Sequence, residues 1–285
     1  MTPISPAGAG QVLPPDLQPG YDRLAALIAG CGRVVVAFSG GVDSSLLLKV
    51  ALDTLGPERV LAVIAQSESY PARELAEALL LAGDLGTTPR VIASAEFSDP
   101  RYRANPANRC YYCKSELFGR LAAIAREEGY AAVLEGNNAD DAGDYRPGRQ
   151  AAQELGVRSP LLEVGLGKAE VRALARALGL PNWDKPAAAC LASRIPYGTP
   201  LTPETLSRVD AAEQALLDLG FRQVRVRHHG DLARIEVAPA EVDRLLAADV
   251  RREVTARLRR LGYRYVSADL QGYRTGSANE ALSGA

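Results

Sequence analysis

Between a run of apolar strand-forming residues and the start of a helical pattern, residues 34–48 read VVVAFSGGVDSSLLL. Gly40 and Gly41 fall where a strand turns into a helix, with Ser39 before them and Val42, Asp43, Ser44 and Ser45 after. Adjacent glycines let a backbone approach an anion closely. The following helix aims its unbonded N–H groups and the positive end of its dipole at the same point, and the serines add hydroxyl donors. This chemistry suits a phosphate. Asp43 would repel a bare phosphate, so it makes most sense with a cation bridging the two. The pattern is neither the Gly-Lys-Ser/Thr nucleotide loop nor the dinucleotide fingerprint. A tight turn with no ligand is the competing reading of the two glycines taken alone.

A second group of polar residues lies in LEGNNADDAGDYRPGR, residues 134–149. Asp140 and Asp141, just after a strand, are candidate magnesium ligands; a solvated acidic loop is the alternative. Thiols form a third set. Cys110 and Cys113 lie in NRCYYCKSELF, and Cys190 lies in WDKPAAACLASRIPYG. Cys-x-x-Cys serves as a redox pair, as half a zinc site or as part of an iron–sulfur site. His228 and His229 are the only histidines and sit far along the chain in a strand, so zinc lacks a ready fourth ligand. Three thiolates on a cubane cluster would leave one iron open to an extra sulfide. Cys31, just before the first strand, reads as a small buried side chain.

The SGGVDS stretch resembles the pyrophosphate loop of the N-type ATP pyrophosphatases (the PP-loop group), which transfer AMP from ATP to a substrate oxygen. Gly-x-x-x-Asp-Asp turns like the one at 136–141 occur in sulfur-inserting members of that group. Four longer stretches, RCYYCKSELF, EGNNADD, SPLLEVGLGKAEVRALARALGLP and WDKPAAACLASRIPYGTPLT, resemble the LarE-type sulfur transferases over about residues 21–265. The resemblance implies ATP and Mg2+ as cofactors, with Asp43, Asp140 and Asp141 near the metal. It implies a small-molecule substrate, pyridinium-3,5-biscarboxylic acid mononucleotide. The product is a bis-thiocarboxylate that later binds nickel as a pincer cofactor. One form of the family sacrifices the sulfur of the residue matching Cys190; the other holds a [4Fe-4S] cluster on the matches to Cys110, Cys113 and Cys190. The Cys-x-x-Cys pair places this chain with the second. The resemblance also implies a substrate site of Arg194, Arg225 and Arg227, with Glu213 and Glu236 as orienting acids. Strand alternation puts Arg225 and Arg227 on one face and Val224 and Val226 on the other; a solvated face of charge pairs is the plainer reading. Other readings are a tRNA thiolase, an ammonia-dependent ligase and an ATP-binding module without turnover.

These residues need a scaffold. Apolar runs at 33–39, 60–66, 90–93 and 131–135 read as strands, alternating with helices at 44–55, 71–85, 115–128 and 168–178 after a first helix at 21–29. That alternation predicts an α/β fold with a doubly wound parallel sheet, which the resemblance identifies with the adenine nucleotide alpha hydrolase-like group. Beyond Pro186 the pattern becomes a helix at 203–219 capped by Thr202, a hairpin at 221–237, mostly helix over 239–261 and a strand at 263–267. This predicts a smaller α+β C-terminal domain. The expected divisions are a disordered tail over 1–20, a PP-loop domain over 21–186, a substrate and sulfur-transfer domain over 187–270 and a flexible tail over 271–285. The 285 residues carry a formal net charge of −1, which argues against a nucleic-acid partner. Neither a signal peptide nor an apolar run of about 20 residues is evident, so a cytoplasmic chain with no membrane partner is expected. There the four cysteines are expected to stay thiols. A homo-oligomer is expected, with the sulfide donor unidentified.

Overall fold

The computed structural model describes residues 13–143, 147–186 and 189–274. Of the expected tails, residues 1–12 and 275–285 lie outside the described residues. In chain order the elements are α1 (Gln18–Ala29), β1 (Val34–Ala37), α2 (Val42–Leu55), β2 (Val60–Gln66), α3 (Ala72–Asp84), β3 (Arg90–Ala93), α4 (Pro100–Arg103), α5 (Arg109–Glu128), β4 (Ala132–Leu134), α6 (Pro147–Glu154), α7 (Pro160–Glu163), α8 (Lys168–Ala177), α9 (Pro203–Leu217), β5 (Val224–His229), β6 (Leu232–Val237), α10 (Val242–Leu246), α11 (Ala248–Arg260) and β7 (Tyr265–Ala268). They form two compact units. Of the described residues, the first takes those within 13–67, 72–99 and 108–186, and the second takes those within 68–71, 100–107 and 189–274.

The first unit is a parallel α/β sheet in the order β3-β2-β1-β4. Its strands are short and rich in valine, as strands covered on both faces are. Val35 of β1, Val63 of β2 and Val133 of β4 pack with Phe118, Leu121 and Ala125 of α5 on one face. Val34 and Val36 point the other way by alternation and are fully buried. That face is covered by α2, which packs on α1 and α8. Leu46, Leu47, Leu48, Val50 and Ala51 of α2 are all buried, the mark of a central rather than a surface helix. The chain steps outward from β1 to β2 to β3 and then returns past β1 to form β4. The strand order therefore reverses between β1 and β4, and loops leaving those two strands open a crevice.

Two helices begin earlier than their apolar period. Pro19 occupies the first turn of α1, which reaches back to Gln18, inside the stretch whose composition suggested a tail. α5 starts at Arg109 rather than at 115, so it encloses Cys110 and Cys113. No Gly or Pro interrupts residues 109–118, but the first turns present thiols and tyrosines instead of an apolar stripe. The expected helix over 239–261 breaks at Ala247, whose backbone is extended (φ −56°, ψ 141°).

The second unit is a three-stranded sheet in the order β5-β6-β7, with an antiparallel hairpin and a parallel third strand. Ala212 and Leu216 of α9, Val224, Val226, Ile235, Leu258 and Tyr263 share its core. Thr202 caps α9, its hydroxyl accepting from the Thr205 N–H at 3.2 Å. Inside this core His228 Nδ1 lies 3.2 Å from the Tyr263 hydroxyl. Burial pushes the Tyr263 phenol up to about 12. Burial, followed by the charge of Arg208, holds the His228 imidazole below its ordinary value.

Replacing Phe118 by Ala removes the ring that joins α5 to the sheet. The expected loss of unfolding free energy is about 3–5 kcal/mol, read by urea titration. His228 gives a pH signature. A depressed folded pKa means stability is full above about pH 6.5 and is lost as pH falls toward the folded value. Melting temperature is therefore expected to drop between pH 7 and pH 5, with a smaller drop for His228→Gln.

Candidate active site

In the first unit, the turn after β1 is built as a cradle. Gly40 has φ +65°, and a Cβ there would lie 2.7 Å from the Cβ of Ala78 on α3, so only glycine fits both the conformation and the space. Gly41 caps α2. Its carbonyl accepts from the Ser45 N–H at 3.0 Å, Ser45 Oγ at 2.8 Å and Ser44 Oγ at 3.1 Å. Ser44 Oγ also accepts from the Ser39 N–H at 3.2 Å and lies 3.1 Å from Ser39 Oγ. These bonds fix the serines around the open N-terminus of α2, whose first N–H groups have no partner within the helix. Val42 turns inward and is buried.

The turn after β4 lies against this loop. A Cβ on Gly136 would sit 2.9 Å from Ser44 N and 3.1 Å from Ser44 Cα, so the two backbones touch. Asn138 donates from Nδ2 to Asp43 Oδ1 at 3.0 Å, and its N–H donates to Asp141 Oδ2 at 3.0 Å. Asp140 Oδ2 accepts from the Lys168 N–H at 2.9 Å, capping α8. Lys168 Nζ donates to Asp43 Oδ2. Asp43, Asp140 and Asp141 are thus brought to one edge of the sheet, with Lys168 bonded to two of them. Asn182 completes the group, donating from Nδ2 to the Gly40 carbonyl and to Ser45 Oγ, both at 3.0 Å. Sequence reading missed Gly136, Asn138, Lys168 and Asn182 as site residues. The signal for Lys168 was its place at the first turn of an amphipathic helix behind Gly165-Leu166-Gly167.

The thiols divide between the units. Cys110 and Cys113 lie one turn apart on α5, the first exposed and the second half-buried. Gly148 of α6 lies over this turn, where a Cβ would meet Lys114 Cγ at 2.8 Å and the Cys110 carbonyl at 3.4 Å. Cys31 is buried and its sulfur accepts from Arg158 Nη1 at 3.0 Å; burial pushes this thiol up, against the pull of Arg158. Cys190 belongs to the second unit, exposed at the entrance to the short 3-10 turn Leu191–Arg194. Among the described residues no three His, Cys, Asp or Glu side chains converge on one metal position.

Around Cys190 the charges are buried, not solvated. Arg194 Nε and Nη2 hold Glu213 by both oxygens at 2.8 and 2.9 Å. Its Nη1 donates to the carbonyls of Ala189 and Cys190 at 2.7 and 3.0 Å and to Ser193 Oγ at 2.9 Å. Arg194 therefore fixes the backbone that carries Cys190. Burial works against its charge, but the carboxylate of Glu213 more than offsets this and raises its pKa. Glu213 also accepts from the Val226 N–H at 2.9 Å. Arg227 holds Glu236 in the same forked way at 2.9 and 2.7 Å and donates to the Ser193 carbonyl at 3.1 Å. Arg225 pairs across the hairpin with Glu236 in the strand register and is 9% exposed. Its guanidinium is pushed down, first by burial and then by the charge of Arg194. Asn105, fully buried at φ +53°, donates to the carbonyls of Pro196 and Thr199 at 2.9 and 3.0 Å. It holds the loop that follows Arg194, and nothing in its sequence context marked it.

A family model described as NAD synthase matches residues 26–99, the part that contains the β1 loop. A protein of Lactiplantibacillus plantarum named pyridinium-3,5-bisthiocarboxylic acid mononucleotide synthase is 45% identical over 260 residues, covering 91% of this chain and 94% of its own. The chain belongs to the LarE family of ATP-dependent sulfurtransferases. An uncharacterized protein of Synechocystis is 44% identical over 267 residues, 94% of this chain and 99% of its own. Argininosuccinate synthase of Methanothermobacter thermautotrophicus is 26% identical over 162 residues, 52% of this chain and 40% of its own. The LarE assignment thus covers both units, whereas the NAD synthase match stops within the first. No helix among the described residues is long and apolar enough to cross a membrane.

Gly136→Ala tests the contact between the two turns. The added carbon meets backbone and cannot be relieved by a side-chain rotation. Binding of inorganic pyrophosphate, read by calorimetry, is expected to weaken about tenfold as the cradle is displaced by a few tenths of an ångström.

Proposed function

We propose that this chain activates a carboxylate of pyridinium-3,5-biscarboxylic acid mononucleotide with ATP and replaces the activated oxygen by sulfur. The observation that carries this reading is the paired cradle at the strand-order reversal, in a chain that shares 45% identity with the synthase named for that product. In the first step a carboxylate oxygen attacks the α-phosphorus of ATP, and pyrophosphate leaves. Donors already fixed around the departing group stabilise its charge as it develops. Lys168, bonded to Asp43 at this loop, is the cation we assign to the phosphates. Magnesium is held in such sites by one or two carboxylates together with the phosphates; Asp43, Asp140 and Asp141 are the residues offered for it. When bound, the ion would neutralise phosphate charge. In the second step sulfide adds to the acyl carbon, AMP departs, and a thiocarboxylate remains. Through nickel-binding thiocarboxylates of this kind the chain belongs to nickel-pincer cofactor biosynthesis.

We assign the arginines of the second unit to an anionic group of the substrate. Arg194 and Arg227 are forked to Glu213 and Glu236, so they serve best to hold the Cys190 turn and the sheet face in place. Arg225 is the cation whose charge is disfavoured by its surroundings. It shares a face of β5 with Arg227 by strand alternation, and an arginine fork suits a phosphate or a carboxylate.

For sulfur supply, Cys110 and Cys113 fit half of a soft-metal site in spacing and exposure. With Cys190 as the third thiolate they would hold a [4Fe-4S] cluster, which when bound would carry a sulfide on its fourth iron. The self-sacrificing alternative needs only Cys190. Its sulfur would attack the acyl-adenylate and displace AMP; loss of the Cα proton and scission of Cβ–S would then leave dehydroalanine.

The full chain, given ATP and the pyridinium substrate, is expected to release AMP and pyrophosphate in equal amounts. Purified without oxygen, it is expected to contain about four irons per chain, lost in Cys110→Ala. No iron, together with Cys190 missing its sulfur after one turnover, would assign the donation to Cys190. No pyrophosphate release with any carboxylate would leave a nucleotide-binding module.

A further inference from the structure

The peptide joining Gly40 to Gly41 is the part of the cradle whose direction decides whether an anion is attracted or repelled. In a planar trans peptide the C=O and the N–H point opposite ways. Whatever holds the Gly40 carbonyl therefore also aims the Gly41 N–H. Asn182 is what holds it: Nδ2 donates to the Gly40 carbonyl at 3.0 Å and to Ser45 Oγ at 3.0 Å. Both partners face the same amide nitrogen. Turning the amide over would set Oδ1 against the carbonyl oxygen, so the orientation is fixed by the network. Ser45 Oγ passes the constraint on, donating to the Gly41 carbonyl at 2.8 Å. Asn182 Oδ1 is itself buried with no hydrogen-bond partner among the described residues. Buried polar atoms of that kind are few in folded proteins; here the donor end of the amide has been satisfied at the acceptor's expense.

The turn carrying Asn182 is anchored independently of the loop. The Lys185 N–H donates to the Asn182 carbonyl at 3.0 Å. Lys185 Nζ lies 2.6 Å from Glu74 and 2.9 Å from Glu77 on α3, and the Lys185 carbonyl accepts from Arg172 Nη2 of α8 at 3.0 Å. α3 also carries Ala78, which fills the space beside Gly40. Two sides of the Gly40 peptide are thus braced from one helix.

We infer that Asn182 is a positioning residue for the phosphate loop: its amide holds the Gly40 carbonyl back so that the Gly41 N–H stays directed at pyrophosphate. The inference rests on the reading of this loop as the ATP site. Without the donor, the peptide can flip and present an oxygen to the anion.

The test uses the full chain and inorganic pyrophosphate, with AMP as a second probe, and compares three uncharged replacements. Asn182→Leu keeps the volume without the donor, Asn182→Ala loses both, and Asn182→Ser is smaller than Asn but keeps a donor. Pyrophosphate affinity is expected to fall about tenfold in the Leu and Ala variants and no more than about threefold in Ser, on the scale of one lost hydrogen bond to a buried acceptor. AMP affinity is expected to stay within about twofold throughout, since the Gly41 N–H faces the leaving group. Trp183, the chain's single tryptophan, is the neighbouring residue, and its fluorescence reports whether the turn is folded in each variant. If the Leu variant does not fold, the ordering of Ser above Ala decides. Wild-type affinity in the Leu or Ala variant, or a parallel loss of AMP binding, would overturn the role given to Asn182 alone. A wild-type chain that fails to bind pyrophosphate would remove the ATP reading, and this inference with it.

Discussion

Gly136 touches the backbone of Ser44 with no room for a side-chain carbon between them. That contact is possible only because the sheet order reverses between β1 and β4, so that the loops leaving the two strands run in different directions and then meet. The polar group at this edge of the sheet follows from it. The β1 loop alone offers amides and hydroxyls but no cation. The β4 turn alone offers carboxylates with nothing to act on. Brought together, they place Asp43 between Asn138 and Lys168 and set Lys168 at the start of α8, where the carboxylate of Asp140 caps the helix. An ammonium balances the acids in this arrangement, and phosphate and magnesium would compete for the same groups.

The second unit handles charge differently. Arg194, Arg225, Arg227, Glu213 and Glu236 are buried, which is costly unless every donor and acceptor is met. Two forked arginine–carboxylate pairs meet most of that demand, and the spare nitrogens bind the carbonyls of residues 189, 190 and 193. Such pairs add little net stability compared with an apolar core, but breaking one leaves a buried charge costing about 3–5 kcal/mol. Their value lies in geometry: the backbone entering and leaving Cys190 is held by side chains that have few other conformations available.

The fold was legible because its strands and helices announce themselves by period. The valine runs of β1 and β2 and the Thr202-Pro203 start of α9 needed no tertiary information. The apolar period of α5 shows only from 115 for a physical reason: a helix turn that carries Cys, Tyr and Tyr has no apolar stripe, so periodicity is silent there. The loop glycines and the acidic turn were legible from residue type alone. Lys168, Asn138 and Asn182 were not, because their roles depend on which strand lies beside which, and strand order is not written in local pattern. Asn105 was hidden for a similar reason: its left-handed backbone and its carbonyl partners some 90 residues away exist only in the folded chain. The alternation of Arg225 and Arg227 with Val224 and Val226 was readable, but a polar strand face does not by itself say whether water or protein covers it. Here protein does.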